Sequence, residues 1–74
     1  MTNDEILGIT AFAKAVNSSW VKDKVFVSVR DKEVLVTGDL ELVLNFVTSV
    51  TNLFCGVCAS IDFISDDALT YSLF

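Results

Sequence analysis

The chain has 74 residues, no proline, no histidine, two cysteines and a net charge of −5. That length makes one domain, and a domain so small buries only about 60% of its unfolded surface, so with 53% hydrophobic residues it keeps apolar groups outside, where self-association or a protein partner would cover them. All five cations precede residue 39 and the rest of the chain is purely acidic, which leaves no positive footprint for phosphates and excludes direct nucleic-acid binding.

Thr2-Asn3-Asp4-Glu5 has the spacing of a capping box, in which Thr2 accepts from the Glu5 N–H and Glu5 reaches back. Ile6, Ile9, Ala13, Val16 and Trp20 then recur at helical spacing, with Leu7 and Phe12 beside them. A helix is predicted over 3–17, ending in the polar cluster Asn17-Ser18-Ser19. That triplet matches a glycosylation sequon, but the acidic start, Met1–Glu5, has the wrong sign for a secretory signal. The reading is a cytoplasmic chain with a helix-ending cluster at that point.

A hairpin follows. Lys24–Arg30 alternates, with Val25, Val27 and Val29 on one face and Phe26, Ser28 and Arg30 on the other. Glu33–Thr37 repeats the pattern, with Val34 and Val36 opposed to Leu35. Asp31-Lys32 forms the two-residue turn between them, without the usual glycine. The valine side is expected to meet the helices. Phe26 and Leu35, with Arg30 at the rim and Trp20 nearby, then form a candidate partner-binding patch.

Leu42–Ile61 carries no charged residue. Its length would allow a membrane span, but Asn45, Thr48, Ser49, Thr51 and Asn52 lie inside it, and the pattern is amphipathic. Val43, Phe46, Val47, Val50, Leu53, Phe54 and Val57 recur at threes and fours. A core helix over 40–55 is predicted, capped by Asp39 and stopped by a left-handed Gly56, with Val50 and Leu53 at the centre of its buried face.

Residues 57–64 return to period two, with Ala59, Ile61 and Phe63 on one face and Ser60 and Asp62 on the other. Ser65-Asp66-Asp67 is a turn cluster. Leu69, Tyr71 and Leu73 alternate with Ala68, Thr70 and Ser72 in a last strand; a short helix capped by Ser65 is the rival. The order α-β-β-α-β-β predicts an α+β domain with two helices on one face of a four-stranded antiparallel sheet. Its connectivity would be that of a circularly permuted ferredoxin-like sandwich, an analogy of architecture that carries no function.

Chemistry-bearing residues are few. Cys55-Gly56-Val57-Cys58 could be a redox dithiol or half of a zinc site. Zinc wants four ligands, however, and the chain has no other cysteine and no histidine. The pair also follows a helix, whose C-terminal end disfavours a thiolate, so packing is the reading of both. Asp62, Asp66 and Asp67 do not have EF-hand spacing. No nucleophile has a base beside it, and no catalytic residue, metal or cofactor is assigned. The expectation is a small acidic protein-binding module without catalysis. It would act as an inhibitor or adaptor of the kind a phage or mobile element encodes, and would self-associate as a homodimer. A redox or metal-handling protein using Cys55 and Cys58, or a small membrane protein spanning residues 42–61, are the alternatives.

Overall fold

A computed structural model of the chain describes residues 1–18 and 24–74. Its elements run α1 (Asn3–Asn17), β1 (Phe26–Arg30), β2 (Glu33–Asp39), α2 (Leu40–Leu53), β3 (Ala59–Ile64) and β4 (Ala68–Leu73). Every strand pairing is antiparallel, in the order β1-β2-β4-β3. The fold is thus the expected α+β layer of two helices on one face of a four-stranded sheet, and the last segment is a strand.

Local chemistry sets the boundaries. Thr2 Oγ1 accepts from the Glu5 N–H at 3.2 Å, and Glu5 Oε1 accepts from the Thr2 N–H at 2.9 Å. Those bonds hold the Glu5 carboxyl below its ordinary value, the Thr2 backbone bond most of all. The Asp31-Lys32 turn is built with Asp31 at φ 55, a conformation that aspartate tolerates better than most residues. Gly38 sits at φ +153, and a Cβ there would stand 2.8 Å from the Lys24 carbonyl oxygen. Only glycine lets the start of β1 approach β2 so closely. Asp39 ends β2 and at once caps α2, accepting from the N–H groups of Glu41 and Leu42 at 3.2 and 3.5 Å.

The core lies between the helices and the inward side of the sheet. Val25, Val34, Val36, Leu69 and Leu73 come from the sheet side, Ile9 and Ala13 from α1, and Val43, Phe46, Val47 and Val50 from α2. Phe12 and Phe46 join the helices, their rings tilted and 5.2 Å apart, an arrangement aromatic pairs favour.

Expectations about the second half of the chain are corrected. The helix stops at Leu53 rather than Cys55, because Phe54 turns extended (φ −119, ψ 90); Gly56 does not supply a left-handed stop. Phe54 instead lays its ring against α1, its tip 2.7 Å from where a Cβ on Gly8 would stand. Phe54 thereby fills the interhelical space that the helical spacing assigned to Leu53, and Leu53 is 63% exposed while Val50 is fully buried. The uncharged stretch is also divided, a 14-residue helix followed by a turn and a strand. Among the described residues no helix is long and apolar enough to cross a membrane.

A further correction concerns β3. A register shift between Ile61 and Phe63 leaves Asp62 as an extra residue, a β-bulge. Phe63 therefore opposes Thr70 rather than continuing the face of Ala59 and Ile61. It lies on the side away from the helices, and Ile64 takes the inward position.

Candidate interaction surface

Because both helices pack on one side, the opposite face of the sheet has no cover among the described residues. The register lays its side chains out in rows across the strands. One row reads Phe26–Thr37–Thr70–Phe63. Strands are about 4.8 Å apart, so the two phenylalanines stand on the order of 14 Å from one another. They are 64% and 59% exposed, large for rings of this size. Between them the Thr37 and Thr70 hydroxyls share a hydrogen bond of 2.9 Å. The next row is Ser28–Leu35–Ser72–Ser60, with Ser72 donating to the Asp62 carboxylate. Leu35 is half-buried among these short polar side chains.

The structure thus brings three of the sequence-predicted residues, Phe26, Leu35 and Arg30, to one face. Arg30 stands at its hairpin end, paired across the ladder with Glu33. Trp20 lies outside the described residues. Phe63 is the member of this face that period-two reading missed. Nothing in ASIDFI announces a bulge, since strict alternation put Phe63 with Ile61. Beside Phe26 is an open depression of about 420 Å³, lined by Thr37, Gly38, Asp39, Asp67 and Ala68. Two carboxylates and one aromatic ring meet there.

The sheet ends in two edges of different character. At β1, the side chain of Asn17 reaches from the end of α1. Its Nδ2 donates to the Val25 carbonyl at 2.7 Å and its Oδ1 accepts from the Val25 N–H at 2.9 Å. The residue that matched a sequon is an amide standing in for a neighbouring strand, a role its sequence context did not signal. At β3, every residue is exposed, and Ile61 and Ile64 present apolar side chains to solvent on the helix side.

Cys55 and Cys58 are both free and exposed, not packed as expected. Cys55 lies within the turn closed by the Val57 N–H on the Phe54 carbonyl, and Cys58 follows it, paired through its backbone with Phe74. Val57 takes the buried position between them, because the turn points one side chain inward and the thiols out. Among the described residues, no group of three His, Cys, Asp or Glu side chains gathers as a metal site would require. A smaller apolar cavity of about 110 Å³ lies between the helices, beside Phe12, Leu42 and Phe46. No family model, no curated protein and no solved structure matches the chain.

Proposed function

We propose that this is a non-catalytic protein-binding module, an inhibitor or adaptor that acts by occupying a partner's surface with the uncovered face of its sheet. The observation that carries the reading is the row with a solvent-exposed phenylalanine at each end, on a face that neither helix covers. Exposed aromatic anchors among short polar side chains are the composition of a contact surface. Thr37, Thr70, Ser72 and Ser60 offer hydrogen bonds without bulk, so a partner's backbone or side chains can approach closely. Asp39 and Asp67, beside Phe26, suit a partner that brings a Lys or Arg to the rim.

The test is comparative capture. Wild-type protein and the Phe26→Ser/Leu35→Ser double variant are immobilised, and proteins retained from the native host are quantified. The reading expects a stoichiometric protein on the wild type that is lost from the variant. A folded variant that retains the same proteins in the same amounts contradicts it.

A further inference from the structure

Among the described residues no strand covers either edge of the sheet; the two edges match one another, and we infer that copies of this chain join head to tail, the β3 edge of one pairing with the β1 edge of the next. The first match is direction. All neighbours are antiparallel in the order β1-β2-β4-β3, so β1 and β3 run opposite ways. A copy displaced along the sheet, its helices on the same side, therefore presents β1 antiparallel to β3.

The second match is the backbone. Cys58 and Phe74 exchange both of their hydrogen bonds, at 2.8 and 3.0 Å. By the alternation of antiparallel ladders, Ala59 and Ile61 turn their N–H and C=O groups outward. On β1 the outward groups are those of Val25, which Asn17 holds, and by the same alternation those of Val27 and Val29. The rows read Val27–Val36–Tyr71–Ile61 and Val29–Val34–Leu73–Ala59. Without any slip, Val27 of the next copy falls beside Ile61 and its Val29 beside Ala59. Outward groups meet outward groups, enough for about four backbone hydrogen bonds. Asn17 stays where it is, and the Asp62 bulge confines the pairing to the stretch before it.

Side chains and charge point the same way. The row that ends in Phe63 continues into Phe26 of the next copy, so the exposed rings become neighbours across the junction. Residues 24–30 carry Lys24 and Arg30 and no acid, whereas residues 59–67 carry Asp62, Asp66 and Asp67 and no cation. Lys24 extends the β1 register to Asp39, which pairs with Ala68, and Ala68 closes on Ser65. Lys24 of the next copy thus lands beside the Asp66–Asp67 turn. A symmetric β3–β3 junction would bring no cation to those acids, so the occupant is the other edge of a second copy. Such a heterologous contact does not close at two copies.

Two exposed substitutions separate the edges. Ile61→Lys blocks β3 and leaves β1 intact, and Val29→Lys does the reverse; both positions are half exposed. Sedimentation equilibrium of the wild type should show an average mass that rises past the dimer between about 10 μM and 1 mM and falls with added salt. Each variant alone, folded by circular dichroism, should be monomeric, and the two mixed should form a 1:1 heterodimer and nothing larger. A wild type that stays monomeric overturns the inference, as does a mixture that stays monomeric or either variant self-associating alone. Should a variant unfold, the synthetic peptide KVFVSVR decides: it must lower the average mass of the wild type, and no change overturns the inference. The lesions lie on the side opposite Phe26 and Leu35, so failure here leaves the proposed partner surface standing.

Discussion

Residues 3–39 and 40–73 each run helix, strand, strand, and their hairpins meet along β2 and β4 in the middle of the sheet. The architecture repeats, but the physical roles do not. α1 buries only Ile9 and Ala13, whereas α2 buries Val43, Phe46, Val47 and Val50. The first half supplies the basic edge strand and partly closes it with Asn17. The second supplies the acidic edge strand, bulged and exposed along its whole length. An α-β-β unit thus fixes where the layers go, while the edge chemistry belongs to each half separately. A short chain assembled this way has one helix that dominates the core, one edge partly closed by a side chain and one edge exposed throughout.

The largest effect that would break this comparison lies in α2. Phe46→Ala should cost about 3–5 kcal/mol, much of the stability of a domain this size. Leu53→Ala, on the same helix but exposed, should stay within about 0.5 kcal/mol. Denaturant unfolding measures both. Equal losses would mean that Phe54 does not hold the interhelical space as described.

Next comes the closed edge. Asn17→Ala leaves the N–H and C=O of Val25 without their side-chain partners and should cost about 1–3 kcal/mol. The same unfolding experiment checks it, with amide exchange at Val25 as the local reading. An unchanged midpoint would remove the distinction between the two edges.

The smallest effect is at the start of α1. The carboxyl of Glu5 is lowered in the folded chain by its bonds with Thr2. A group lowered on folding stabilises fully above its unfolded value, and that contribution is lost as pH falls through the lowered one. The first turn of α1 should therefore loosen as pH falls through and below the ordinary glutamate range. NMR shifts of Asn3–Glu5 report it, and Thr2→Ala should erase the dependence at those amides.

Much of the fold was legible from residue periodicity alone. Alternating valines in 24–37, the three-and-four spacing of 43–50, and the Thr2 and Asp39 caps are local signals, and local hydrogen bonding and burial obeyed them. What escaped depends on tertiary fit. Phe54 left the helix because Gly8, far away in sequence, made room for its ring. Phe63 changed faces because one extra residue entered the ladder against β4. Half of the candidate surface, Phe26 and Leu35, followed from alternation; the other half waited on a bulge that no residue in β3 marks.

The contrast between the two edges is tested most directly by residue-resolved amide exchange at two protein concentrations. In dilute solution the outward amides of Val27, Val29, Ala59 and Ile61 should exchange fast, while that of Val25, held by Asn17, is protected. At high concentration the account predicts that those four outward amides slow together, with no comparable change on α1 or α2. Exchange at Ala59 and Ile61 that does not depend on concentration, or that slows without Val27 and Val29, would contradict it.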